Sequence, residues 1–246
     1  MQQPSHYLLE ALELAELRRG FCAPNPAVGA VVVKQGRVLA TGYHKASGQP
    51  HAEAEALGSL GDEARGATLY VTLEPCCHLG KKTPPCTELL IARGIREVYY
   101  GFTDPNPQVA GLGAQALQAA GIPCKHVPLA SIDEFYQSYA HWWQTRQPWL
   151  TAKLALSLDG KIAGAKGKRM NITGAELQQY THTLRHQADA LLTTARTILN
   201  DDPQMNVRLG DKVIAKPLYI IDRELYLPLT ARIWQTAKTI CILHKP

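Results

Sequence analysis

Apolar positions in the first half of the chain follow two rhythms in turn. Over residues 6–19, Leu8, Leu12 and Ala15 recur at helical spacing with Glu10, Glu13 and Glu16 between them, the pattern of an amphipathic helix. Residues 27–33 form a continuous apolar run of strand length, and 37–43 repeat the pattern across Gln35-Gly36, a pair suited to a hairpin turn. The spacing then predicts a helix over 50–57, with Pro50 at its start, and a strand over 67–73 that Glu74-Pro75 ends. Helices over 87–93 and 113–120 alternate with strands over 95–101 and 122–127, and a helix over 132–146 closes the series. Such alternation predicts a layered α/β fold around a mostly parallel sheet.

Gln147-Pro148 interrupts the pattern, which then restarts, so we divide the chain into units 1–146 and 147–246. The second unit should hold a strand over 149–156, a turn at Asp159-Gly160, a helix over 175–187, and strands over 190–193 and 218–222. It reaches Pro246 without a closing pattern and is expected to be incomplete. There is no internal repeat and no low-complexity tract.

Composition narrows the function classes. A length of 246 residues with 46% hydrophobic content is enough for two modest domains with real cores. The net charge of +5 favours anionic ligands, whether a phosphorylated metabolite or nucleic acid. The longest basic cluster, Lys166-Gly-Lys-Arg169, is too short for a nucleic-acid tract. Residues 1–20 lack the apolar centre of a signal peptide, and no run approaches the roughly 20 apolar residues that cross a bilayer. A cytoplasmic protein without membrane contact is expected. In that reducing setting the six cysteines should not form a disulfide framework, and three of them, Cys76, Cys77 and Cys86, fall close together as metal ligands do.

The chemistry concentrates in His51-Ala-Glu53, then Glu74-Pro-Cys76, then Cys86. Catalytic zinc takes three imidazole or thiolate ligands and leaves a place for water, which it makes nucleophilic near neutral pH. A carboxyl that does not bind the metal can then carry a proton to a leaving amine. A His-x-Glu followed by Pro-Cys and a second Cys is the layout of zinc deaminases. His51, Cys76 and Cys86 are therefore the candidate ligands for Zn2+, and Glu53 the candidate proton carrier. Cys77 or His78 in place of one cysteine remains an alternative.

At this point the residues resemble a known family. Pro24-Asn-Pro-Ala-Val-Gly29, Gly42-Tyr-His44, His51-Ala-Glu53, Thr72-Leu-Glu-Pro-Cys76, Thr83-Pro-Pro-Cys86 and Asp104-Pro-Asn-Pro-Gln-Val-Ala-Gly111 resemble the bifunctional riboflavin-biosynthesis deaminase/reductases. Lys153-Leu-Ala-Leu-Ser-Leu-Asp-Gly160, Ile172-Thr173, Arg185 and Asp201-Asp-Pro203 continue the resemblance, which covers nearly the whole chain. It implies a cytidine-deaminase-like three-layer domain followed by a partial dihydrofolate-reductase-like α/β domain. It also implies two reactions: hydrolytic deamination of a diamino-hydroxy-phosphoribosylamino-pyrimidine, then NADPH-dependent reduction of the ribosyl chain of the resulting phosphoribosylamino-uracil.

By the same resemblance, His51, Cys76 and Cys86 hold zinc, Glu53 shuttles the proton, and Asn25 contacts the substrate. In the second unit Ala155, Asn171, Thr197 and Asp201 correspond to NADPH contacts, while Arg185, Met205 and Arg208 correspond to contacts with the phosphorylated substrate. A guanidinium fork suits phosphate. The chain departs from the family in three places. The loop between the zinc cysteines is one residue longer, which predicts a bulge at Lys81-Lys82. Arg169-Met-Asn171 stands where the family has Ser-x-Trp, and Pro246 precedes the glycine-rich segment of the family's cofactor pocket.

Two other readings remain at this stage. A nucleic-acid deaminase of the tRNA adenosine type shares the zinc chemistry, but it typically carries P-C-x-x-C spacing. Nine residues separate Cys76 from Cys86 here, and a second α/β unit follows. A non-catalytic zinc-stabilised remnant would keep the ligands without turnover. The expected partner is a small phosphorylated pyrimidine rather than a nucleic acid, and association into a homo-oligomer is left open.

Overall fold

Gln35 and Gly36 both take positive φ, 53° and 78°, as the two central residues of a tight hairpin turn do. They join β1 (Gly29–Lys34) to β2 (Arg37–Tyr43) with Lys34 opposite Arg37. The computed structural model in which this is seen describes residues 3–77, 84–165 and 168–245. The chain falls into two units, Met1–Leu150 and Thr151–Pro246.

In the first unit α1 (Pro4–Glu16) precedes the hairpin, and α2 (Ala52–Leu57) leads to β3 (Thr68–Leu73). Next come α3 (Cys86–Ala92), β4 (Glu97–Phe102), α4 (Leu112–Ala119), β5 (Cys124–His126) and α5 (Ala130–Thr145). The sheet order is β2-β1-β3-β4-β5. β3, β4 and β5 run parallel, but β1 is antiparallel to both its neighbours. The sheet is thus mixed, with four of its five strands running one way and β1 alone against them. A two-residue hairpin can join only antiparallel strands, and β1 lies between its hairpin partner and β3.

Two cores sandwich this sheet. Ala30, Val32, Leu69 and Val71 pack with Ala52, Ala56 and Leu57 of α2, Leu90 of α3 and Leu117 of α4. Val31, Val33 and Tyr70 on the other face pack with Leu8 and Ala11 of α1 and with Ile132 and Tyr136 of α5. Successive side chains of β1 serve opposite faces, so the apolar run from Ala30 to Val33 is what a three-layer arrangement requires. Gly42 of β2 lets α2 lie close: a Cβ there would collide with the Ala52 carbonyl and the Ala56 nitrogen.

The second unit contains α6 (Ala175–Gln187), β6 (Leu191–Thr194), α7 (Ala195–Asp201), β7 (Val207–Leu209) and β8 (Lys212–Ile214). β9 (Pro217–Ile221), α8 (Ile233–Thr236) and β10 (Thr239–Leu243) complete it. β10-β9-β6 form a parallel sheet and β7-β8 a hairpin. Ile198, Leu218, Ile220, Ala231 and Ile233 make the core. The strand expected over 149–156 does not form. A strand exists through the ladder it shares with a neighbour, and among the described residues none pairs with this segment. Leu150, Leu154 and Leu156 are accordingly exposed, at 75%, 72% and 50%. Among the described residues no helix is long and apolar enough to cross a membrane.

Candidate active site

Three chain segments meet at the carboxyl end of β3. Glu74 and Pro75 turn the chain out of the strand and deliver Cys76. Pro85 caps α3, so Cys86 is its first residue, and His51 caps α2 with Glu53 in its first turn. The positive ends of two helices therefore face this point, a setting that favours thiolate over thiol.

The geometry is that of a metal site. His51 Nδ1 lies 3.5 Å from Cys76 Sγ and 3.3 Å from Cys86 Sγ, and the three donor atoms fall within 4.8 Å of one another. The Cys86 backbone N–H also donates to Cys76 Sγ at 3.4 Å. Hydrogen bonding from Cys86 holds the Cys76 thiol far below the usual range, at about 4, with His51 contributing in the same direction. Its bond to Cys76, and then burial, push the Cys86 thiol well up. One imidazole and two thiols at this spacing form a donor set that suits zinc. Cys77 stands outside the cluster, its thiol raised by burial. His78 and the expected bulge at Lys81-Lys82 lie outside the described residues.

Glu53 is 3% exposed. Burial pushes its carboxyl above the ordinary range, opposed in part by His51. Around it is a small cavity of about 50 Å3, lined by His51, Glu53 and Cys76 together with Asn25, His44, Glu74, Asp104 and Tyr139. The structure thus brings Asn25, which the resemblance placed at the substrate, to the same cavity as the three donors and Glu53. His44, Glu74, Asp104 and Tyr139 carry no role in the sequence reading. The first three do lie within the motifs of the resemblance, whereas nothing in the sequence marks Tyr139, whose hydroxyl donates to Asp104 Oδ1 at 3.2 Å.

In the second unit a polar cavity of about 410 Å3 collects Arg185, Thr197, Asp201, Met205 and Arg208. Ala155 and Asn171 are not among its lining residues. Arg169, Asp202 and Arg232 join it unforeseen. Asp202 accepts from the Arg232 backbone at 2.9 Å and from its Nε at 3.0 Å, which draws the 232 loop to the end of α7. Arg208 donates to Gln204 Oε1 and Asn206 Oδ1, and Arg185 to the Asn206 carbonyl, so both guanidiniums are held before any ligand arrives. Burial, and then the nearby Arg208, lower the Arg185 pKa.

Residues 1–102 match the family described as the cytidine and deoxycytidylate deaminase zinc-binding region, and residues 148–246 match the RibD C-terminal domain. The riboflavin biosynthesis protein RibD of Aquifex aeolicus is 42% identical over 98% of this chain and 68% of its own length. That of Escherichia coli is 44% identical over 85% of this chain and 57% of its own. Among solved structures, Acinetobacter baumannii RibD aligns with a TM-score of 0.89 at 38% identity, covering 99% of this chain and 70% of that one. A Thermotoga maritima diaminohydroxyphosphoribosylaminopyrimidine deaminase/5-amino-6-(5-phosphoribosylamino)uracil reductase aligns at 0.91 and 37% identity over the same shares. The chain spans 57–68% of the length of these curated relatives.

Proposed function

The chain belongs to the bifunctional riboflavin-biosynthesis deaminase/reductase family, the RibD proteins, and from that premise we propose that its first unit hydrolytically deaminates a phosphoribosylated diaminopyrimidine. The observation that carries the reading is the convergence of His51, Cys76 and Cys86 donor atoms within 4.8 Å beside the buried Glu53. A zinc ion held by these three side chains would supply the Lewis acidity that makes water nucleophilic near neutral pH.

This chain's own residues do the rest. Asn25 and the cavity wall orient the ring so that its amidine carbon faces Glu53. Glu53 takes one proton from water as the water oxygen bonds to the ring carbon and returns it to the amine, which leaves as ammonia. The remaining hydroxyl proton passes to the ring nitrogen, so that the ring carbon becomes a carbonyl. Burial raises the Glu53 carboxyl above its ordinary range, which makes it a stronger proton acceptor than an exposed carboxylate. Burial keeps bulk water from intercepting the proton.

For the second unit we propose binding of the phosphorylated deamination product in the arginine-lined cavity, with NADPH as the hydride source. Arg185 and Arg208 are already oriented by Asn206 and offer forks that fit a phosphate. Thr197 and Asp201 line the same cavity, which supports a role for them at the cofactor, whereas Ala155 and Asn171 are not among its lining residues. The ligand is proposed to be this small anionic metabolite and not a nucleic acid, the protein cytoplasmic, and a homo-oligomer its assembled form.

Ammonia release from the diaminopyrimidine phosphoriboside, on protein of measured zinc content, tests the reading. Turnover with about one zinc per chain is expected. Zinc without ammonia would overturn it and make a non-catalytic zinc protein or an RNA deaminase the next hypothesis.

A further inference from the structure

Glu74 is 3% exposed, and among the described residues it forms no ion pair. A carboxylate buried in this way must be satisfied by hydrogen bonds. Three backbone N–H groups do so. Oε2 accepts from Asp104 at 3.4 Å and from Gly111 at 2.9 Å, and Oε1 accepts from Ala114 at 3.1 Å. Gly111 is the N-cap of α4 and Ala114 lies in its first turn. The first N–H groups of a helix lack partners within it, and Gly111 has no side chain to serve as cap. Glu74 caps the helix from another element.

A second observation places the same helix on the same turn. A Cβ on Gly113 would collide with the Pro75 carbonyl, so α4 is seated directly on the backbone between Glu74 and Cys76. The Glu74 N–H in turn donates to the Phe102 carbonyl at 2.9 Å, which extends the β3–β4 pairing to the point where the chain leaves for Asp104. One residue therefore joins the loop that delivers Cys76, the wall that carries Asp104, and the start of α4.

We infer that Glu74 is a positioning residue of the deaminase site: its carboxylate fixes the Pro75–Cys76 turn to α4 and to the Asp104 backbone, and so sets the distance from the Cys76 sulfur to the far wall of the cavity. The inference rests on the zinc-deaminase reading above. It assigns to Glu74 no contact with substrate. Groups that orient metal ligands from outside commonly matter 10- to 100-fold in metal affinity.

The test compares the parent chain with Glu74→Gln, which keeps the volume but turns an amide donor towards N–H groups. Zinc affinity by chelator competition should fall by about 10- to 100-fold. The visible spectrum of the cobalt-substituted variant should shift, and KM should rise because the Asp104 wall moves. In the parent chain, zinc removal should speed amide exchange at Asp104, Gly111 and Ala114 relative to α5. A folded Glu74→Gln variant with parental zinc affinity and cobalt spectrum overturns the inference. If the variant does not fold, the parent decides: exchange at these three amides that ignores zinc overturns it. A parent chain that takes up no zinc overturns the deaminase reading itself, a result distinct from either.

Discussion

His44 directs its Nδ1–H at the Pro50 carbonyl, 3.0 Å away, and so presents Nε2 as an acceptor to the Asn25 side-chain amide at 3.3 Å. A carbonyl can only accept and an amide nitrogen can only donate, which fixes the neutral tautomer of His44. Asn25 also lines the cavity, where its side-chain amide can meet ring N–H or amino groups. Asn25→Ala should therefore lower kcat/KM by about 10- to 100-fold, the cost of a lost buried hydrogen-bond partner. Steady-state kinetics on the diaminopyrimidine checks this, and a kcat/KM within twofold of the parent would remove Asn25 from substrate recognition.

Glu53→Gln separates proton transfer from metal binding. The amide keeps the size of the side chain but carries no exchangeable carboxyl proton, and His51, Cys76 and Cys86 are untouched. Zinc content should match the parent, while ammonia release falls at least about 100-fold, within the usual range for a general acid–base group. Metal analysis beside an ammonia assay gives both numbers. Parental turnover would mean that another group moves the proton.

Gly42→Ala tests the packing that places α2. The added methyl meets backbone on both sides, the Ala52 carbonyl and the Ala56 nitrogen, and neither can swing aside as a side chain could. The helix that follows His51 and carries Glu53 must shift. A loss of about 1–3 kcal/mol in stability is expected, as for other overpacked cores, together with weaker zinc retention. Urea denaturation and zinc stoichiometry report the two effects, and a variant unchanged in both would show that α2 is not seated through Gly42.

Much of this first unit was legible in the sequence because its elements are periodic and local. The Gln35-Gly36 turn, the apolar run before it and the helix starting at Ala52 follow from short-range patterns. The donor cluster was legible too, since His51, Cys76 and Cys86 each sit at a strand or helix end. The contribution of Glu74 was not, because its partners lie 30 to 40 residues away and are backbone groups, which no residue type marks. In the second unit the run 149–156 has the composition of a strand, yet composition does not say whether a neighbour is there to pair with it. The arginine cavity was half legible: Arg185 and Arg208 came from the resemblance, while Arg232 arrives through its pairing with Asp202, 30 residues away.

Removing zinc should destabilise the first unit. His51, Cys76 and Cys86 come from three segments that the folded chain brings together, so a metal that binds them selects the folded state. At free zinc about 100-fold above Kd the gain is about 2.7 kcal/mol. Thermal melts before and after chelation should show a fall in Tm that added zinc reverses. A melting curve indifferent to chelator would mean that the donor cluster does not hold a metal.

Lys216 supplies a pH-dependent term in the second unit. Its ammonium is buried and donates to the His186 and Ala188 carbonyls at 2.8 Å each, near the end of α6. Burial lowers its pKa from 10.5 to about 8, partly opposed by Asp189. Between pH 8 and 10.5 the unfolded chain then holds a proton that the folded chain has released. Stability rises with pH wherever the unfolded state binds more protons, so the cost of burying this charge is present below about pH 8 and is relieved towards pH 10.5. Lys216→Met has no such proton. Denaturation series for both proteins across that window should show the parent gaining stability relative to the variant as pH rises. Parallel curves would mean that Lys216 keeps an ordinary pKa, solvated despite its burial.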